Sequence, residues 1–214
     1  MGIAERKERE KDLQQKMRRK QILDAAKRVF HNKGFSATTV EDICQEAELS
    51  PAALYLYFKN KDDLYASLNL QLLEYMSEKF EGLYREKGLK AEEKIEALKD
   101  LLYDLFSFDP LIVINLFHLQ ASDGLTNLST ERTTQLNELA AKCLRTLGKI
   151  FEDGIAEGRF IDRHPIALAD IIWIIFSGAV LWEKSKQMIN PRKDYLKQSI
   201  TFFAAQKSIK RDFL

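Results

Sequence analysis

The chain is poor in the residues that staple, break or ligate: its 214 residues include only 2 Cys, 3 His, 4 Pro and 9 Gly. Cys44 and Cys143 lie far apart inside helical patterns, without zinc-type spacing or a disulfide framework, and read as reduced, packed thiols. His31, His118 and His164 are scattered, with no Cys or paired carboxylates beside them in sequence, so neither a metal site nor a cofactor is expected. There is no phosphate-cradling glycine loop, nucleophile elbow, metal-binding histidine spacing or paired-carboxylate motif, and no residue points to an enzyme. No alternating apolar run of strand length stands out, and so few prolines and glycines leave long helices uninterrupted, which predicts an all-α chain. The N-terminus is strongly charged and lacks an apolar segment, so no secretory leader is expected and the protein is placed in the cytoplasm.

Net charge is only +1, but it is unevenly spread. Residues 1–33 carry 11 Lys/Arg against 5 Asp/Glu, leaving 22 against 27 in the remainder. A basic end on an acidic body orients a molecule toward a polyanion. Residues 1–20 alternate acid and base until Lys16-Met17-Arg18-Arg19-Lys20. Such a segment is either a solvated helix or frayed arm, or an arm that reaches the backbone or minor groove of DNA.

Ala37 to Lys61 holds the most informative pattern. Thr38 followed by Glu41 reads as a capping box that starts a helix near Thr39. Val40, Ile43 and Ala47 give it one narrow apolar stripe, and a helix of barely two turns cannot stand alone. Glu48-Leu49 interrupts the pattern, and Ser50-Pro51 restarts it as an N-cap followed by a first-turn proline. Leu54 and Phe58 share the inward face of this second helix, which turns Ala52, Ala53, Leu56 and Tyr57 outward with Tyr55 at the margin. Small side chains let a backbone approach a groove wall, an alanine methyl meets a thymine methyl, and tyrosine hydroxyls reach phosphate oxygens. Upstream, Ile22, Ala25, Ala26, Val29 and Phe30 line one face of a helix that stops at Gly34, with Phe35 as the apolar partner of the glycine cap. A helical hairpin whose tyrosines cover a core edge is the bland alternative.

The positions Gly34-Phe35, Thr38-Thr39-Val40, Asp42-Ile43, Ala47, Leu49-Ser50, Leu54-Tyr55, Tyr57-Phe58 and Lys61 resemble, without a gap, the DNA-binding region of the tetracycline-repressor (TetR) family of transcriptional regulators. Departures are Glu48 and Ala52, where that family usually or often has glycine, and Cys44 in place of a common alanine. The resemblance implies a helix-turn-helix DNA-binding domain over residues 1–60 and an effector-binding and dimerisation domain over 61–214. Ala52, Ala53 and Leu56 are then candidates for base edges, and Thr39, Ser50, Tyr55, Tyr57 and Lys61 for phosphates.

Beyond Asn60 a helix of some 26 residues is expected to run to about Lys87, followed by one from Ala91 to Phe106 and an apolar segment from Leu111 to Leu119. A seam of Leu136, Ala140, Cys143, Leu147, Ile150 and Gly154 marks a longer helix ending at Gly158. Ile171 to Trp182 is apolar all round; bracketed by Asp170 and Glu183, it reads as too short for a bilayer, which takes about 20 residues. One face must then meet a partner or the centre of a monomer core. The partner reading makes a two-fold homodimer through a four-helix bundle, with Cys143, Leu147, Ile150, Gly154, Ile171, Ile175, Gly178, Ala179 and Trp182 at the interface. A last helix is expected over Lys193 to Gln206.

The resemblance implies an effector pocket among the C-terminal helices, for which Phe106, Phe108, Leu116, Phe117, Trp173 and Phe176 are candidates; plain core is the alternative. The resulting expectation is a dimeric repressor of a pseudo-palindromic operator in double-stranded DNA, released by a small apolar or amphipathic effector and independent of membranes. The competing reading is a helical carrier of apolar ligands that does not regulate DNA.

Overall fold

The computed structural model describes residues 2–108 and 128–189, and these are helical throughout, with no strand among them. The helices are α1 (Ile3–Lys33), α2 (Val40–Glu46), α3 (Pro51–Tyr55), α4 (Lys61–Arg85), α5 (Ala91–Phe108), α6 (Thr130–Ala156) and α7 (Pro165–Ile189). The chain divides into two compact units, one of described residues 2–69 and 128–132, the other of 70–108 and 133–189.

In the first unit four short or half-used helices share one core. Ile22, Ala25 and Ala26 of α1, Ile43 of α2, Leu54 of α3 and Leu64 of α4 are completely buried. None of α2, at 7 residues, or α3, at 5, would persist in water alone, so the shared burial holds them. Phe30, Phe35 and Tyr65 stack beside that core, with Tyr65 lying 5.4 Å from Phe30 and 4.4 Å from Phe35 between ring centroids. Burial raises the Tyr65 hydroxyl well above its ordinary pKa. Residues 3–21 are helical and continuous with the packed part of α1, rather than frayed.

The second unit packs Met76 and Phe80 of α4, Leu98, Leu102 and Leu105 of α5, Leu147, Ile150 and Phe151 of α6, and Phe176 and Val180 of α7. The α6 seam is turned inward. Cys143, Leu147, Ile150 and Gly154 are buried by their own chain, the Cys143 thiol donates weakly to the Leu73 carbonyl at 3.7 Å, and Gly154 lies under the Phe160 ring. These four are therefore core positions and not the interface the heptad spacing predicted. Burial pushes the Cys143 thiol up to about 11, which keeps it protonated and inert at neutral pH. Gly158, two residues past the end of α6, takes the left-handed region at φ 69°.

The bilayer argument from length also changes. Helix α7 is 25 residues long, and its stretch Pro165–Glu183 is long and apolar enough to cross a membrane by length and composition. On this helix Leu168, Ala169, Phe176, Val180 and Glu183 are buried inside the protein, but only 22% of the apolar stretch is covered. Leu116, Phe117 and the helix expected over residues 193–206 lie outside the described residues, as does the side chain of Phe108.

Candidate DNA-binding surface

Helix α2 begins one residue later than the sequence predicts. The Thr39 hydroxyl accepts from the Asp42 amide at 3.1 Å, and the Thr39 amide donates to the Asp42 carboxylate at 3.0 Å, so the capping box is Thr39–Asp42 and not Thr38–Glu41. Thr38 is instead buried, its hydroxyl donating to the Gly34 carbonyl at 2.6 Å. The Lys33 ammonium, 2.6 Å away, and the Thr39 amide hold the Asp42 carboxyl down to about 2.

The turn closes through the Leu49 amide, which donates to the Cys44 carbonyl at 2.9 Å. Glu48 takes the left-handed conformation there, at φ 52°. Strain of this kind costs a residue with a Cβ roughly 1 kcal/mol or more and a glycine nothing, so Glu48→Gly is expected to stabilise the chain by about 1 kcal/mol once the greater freedom of an unfolded glycine is deducted. A urea titration showing no gain would mean that the turn relaxes by other means.

Ser50 then caps α3, its hydroxyl accepting from the Ala53 amide at 3.2 Å, with Pro51 in the first turn. Leu54 and Phe58 point inward and are fully buried, while Leu56 is 82% exposed and Tyr55 53% exposed. Ala52 is exposed, and Ala53 and Tyr57 are half-buried. Thr39 and Ser50, both exposed, accept at their caps and keep their hydroxyl protons for another acceptor. The structure therefore gathers Ser50, Ala52, Ala53, Tyr55, Leu56 and Tyr57 on or beside one short helix with an uncovered outer side, and leaves Thr39 exposed at the start of α2.

Lys61 does not join them. Its ammonium donates to the carbonyls of Phe35 and Thr38, each at 2.8 Å, and sits 4.4 Å over the Phe35 ring. Two of the three ammonium protons are committed, so Lys61 ties the α1–α2 loop to α4 and is corrected from a phosphate contact to an internal brace. Lys61→Ala is expected to destabilise the chain by about 1–3 kcal/mol by leaving two carbonyls unpaired. The dependence of DNA affinity on salt should stay as in wild type, whereas loss of a phosphate contact would flatten its logarithmic slope by about 0.9 per contact.

Three further residues hold α3 and could not be found from spacing. The Arg19 guanidinium donates to the Tyr57 carbonyl and to the Ser67 hydroxyl, both at 3.0 Å, and lies 4.2 Å over the Phe58 ring. Asp63 caps the Lys59 amide at 3.1 Å and pairs with Arg132 at 2.9 Å. Burial and the nearby Arg132 lower the Arg19 pKa, with Asp63 opposing them. These partners are 48 and 69 positions apart, and nothing local in the sequence announces them.

Residues 22–68 match the model of the bacterial regulatory proteins of the tetR family. Over 177 residues the chain is 30% identical to the HTH-type transcriptional repressor KstR2 of Rhodococcus jostii, covering 77% of this chain and 79% of that protein. The chain belongs to the TetR family. It is a DNA-binding transcriptional regulator, as are its curated relatives. Among these, the fatty acid metabolism regulator protein of Bacillus subtilis is 29% identical over 150 residues, 70% of this chain and 74% of that one. The crystal structure of FadR from Bacillus subtilis in complex with stearoyl-CoA shares the fold, with a TM-score of 0.68 at 24% identity over 88% of this chain and 98% of that one.

In this TetR-family chain the second unit contains a cavity of about 270 Å³, lined by Leu73, Met76 and Phe80 of α4, by Ala140, Ala141, Cys143, Leu144 and Leu147 of α6, and by Asp170 and Trp173 of α7. Of the expected pocket residues only Trp173 is among these. Phe176 is buried with its ring 5.9 Å from Trp173, and Phe106 is buried in the core. On α7 the expected interface residues Ile171, Gly178 and Trp182 are exposed, with Ile175 and Ala179 half-buried beside them.

Proposed function

We propose that this regulator represses transcription in the cytoplasm as a homodimer on a pseudo-palindromic operator and is released by a small, largely apolar effector. The observation that carries the DNA half is the division of α3 into a buried side, Leu54 with Phe58 just beyond its end, and an open side of Ala52, Tyr55 and Leu56. In each subunit α3 enters a major groove, Ala52, Ala53 and Leu56 meet base edges, and Thr39, Ser50, Tyr55 and Tyr57 hold phosphates.

The cavity supports the effector half. Its volume falls just below the usual range of ligand pockets, about 300–1,000 Å³, and apolar side chains dominate its lining. A fatty acyl group is the chemistry suggested by the Bacillus subtilis regulator seen with stearoyl-CoA. Asp170 is the one charged lining residue among those described, which favours a neutral or cationic head over an acyl anion close to α7. Bound effector favours a spacing of the two α3 helices that no longer fits the operator.

Selection of bound fragments from genomic DNA at low salt, followed by binding curves for wild type and Tyr57→Ala, tests this reading. The expected result is a palindromic motif whose affinity falls with Tyr57→Ala. Uniform weak binding without a motif, indifferent to the substitution, would overturn it and favour the carrier of apolar ligands.

A further inference from the structure

We propose that the N-terminal half of α1 is a second DNA-contacting element, a helical arm that grips phosphates outside the operator core; the proposal rests on α3 being the recognition helix. Helix α1 has 31 residues, but its burial begins only at Ile22 and Leu23. Every described side chain from Glu5 to Arg18 is exposed. A polar helix of this length is marginal by itself in water and is stabilised by what it binds.

The arm leaves the first unit beside the helix-turn-helix. Arg19 donates to the carbonyl of Tyr57, just beyond α3, at 3.0 Å, and Gln21 donates to the carbonyl of Ala47, at the end of α2, at 3.3 Å. The base of the arm therefore lies against the C-terminal end of α3 and the end of α2.

Its charges are sorted for a polyanion. Arg6, Arg9, Leu13, Lys16, Met17 and Lys20 recur at i, i+3, i+7, i+10, i+11 and i+14, which places all six on one helical face. Glu8 and Asp12 lie on the adjoining side, with Glu5 and Glu10 at the two edges of the basic face. Residues 13–21 contain four cations and no carboxylate. Leu13 and Met17, 59% and 65% exposed, lie between the cations, where their stems would rest on sugar while the cations take phosphates. A like-charged face repels a second copy of itself, and two apolar side chains make a weak membrane anchor.

The reach of the arm makes the proposal measurable. From Ile3 to Arg18 it extends about 24 Å at 1.5 Å per residue, or roughly 7 base pairs at 3.4 Å each. The probes are two duplexes bearing the motif selected by wild type, one cut at the motif's ends and one extended by eight base pairs of arbitrary sequence on each side. They are titrated with wild type and with Arg9→Gln/Lys16→Gln/Lys20→Gln, whose changes touch only exposed positions. Wild type is expected to bind the longer duplex about tenfold more tightly, and the triple variant to lose that gain while keeping the same motif. Across salt concentrations the variant's logarithmic slope on the longer duplex should fall by about 5, for six phosphate contacts in a dimer.

Wild type indifferent to flank length, or a variant with an unchanged slope, would overturn the proposal. So would a variant that falls to monomers in sedimentation, which would give the arm to a second copy, or one that instead loses binding to phosphatidylserine vesicles. A wild type that selects no motif at all would overturn the recognition reading itself, a failure distinct from selection of a motif without any dependence on flanks.

Discussion

Phe58→Ala is expected to lower stability by about 3–5 kcal/mol and to abolish operator binding. The Phe58 ring is 1% exposed and stands one turn beyond Leu54, so it closes the core under α3 from the C-terminal side. It also lies 4.2 Å beneath the Arg19 guanidinium, which holds the Tyr57 carbonyl. Removal of the ring leaves a cavity under a helix of only 5 residues and frees the cation that fixes its end, so the transfer and cavity losses are compounded by a lost cation–π contact of about 0.5–2 kcal/mol. Domains are stable by only about 5–15 kcal/mol, and a loss of this size in the smaller unit should unfold α2 and α3 before the rest. Urea denaturation followed by circular dichroism, alongside amide exchange of Ile43 and Leu54, measures it. A loss below about 1 kcal/mol would mean that α3 does not depend on this ring. Tyr57→Ala is the companion, because its side chain is half-buried: it should weaken DNA binding while the fold survives.

What was legible in the sequence was local. Ser50-Pro51 announced the start of α3, and the i, i+4 spacing of Leu54 and Phe58 gave its buried side, because cap chemistry and helical period act within a turn. The start of α2 was ambiguous in principle. Thr38 and Thr39 each have an acid three residues on, and only the Thr38 hydroxyl bond to Gly34 and the Lys33–Asp42 pair decide between them. Lys61 was misread for a related reason: a lysine at the start of a helix near DNA looks free until the Phe35 and Thr38 carbonyls are seen around it. The α6 seam shows the limit of periodicity, which tells that a face is buried but not against what. Gly154 makes the point physically. A Cβ there would land inside the Phe160 ring and against Ala91, so the glycine is needed by its own unit, whatever partner the chain has.

Ile174→Asp combined with Trp182→Asp is expected to leave a folded monomer whose operator affinity is 10²–10⁴-fold lower, about the advantage that linking two half-site contacts provides. The residues are chosen from what α7 leaves uncovered. Ile171, Ile174, Gly178, Leu181, Trp182 and Ser185 recur at i, i+3, i+7, i+10, i+11 and i+14 and are all exposed, Ile174 by 65% and Trp182 by 64%. The opposite side, with Ala169, Phe176 and Val180, is buried. An exposed stripe of isoleucine, leucine and tryptophan, with a glycine that permits close approach, is the surface a second copy would cover, and two-fold symmetry would set each stripe against its equal. Two aspartates would then bring four carboxylates into one apolar seam. The same aspartates stand in water when the chain is alone, so the monomer should keep its helix content and its melting temperature within a few degrees. Sedimentation at micromolar concentration reads the assembly, and titration of a full palindrome against a half-site reads the linkage. The variant should bind the two DNAs with nearly equal weakness, because a monomer gains nothing from the second half-site. A variant that remained dimeric and kept its preference for the palindrome would place the interface elsewhere on the chain and leave the apolar side of α7 to a different partner.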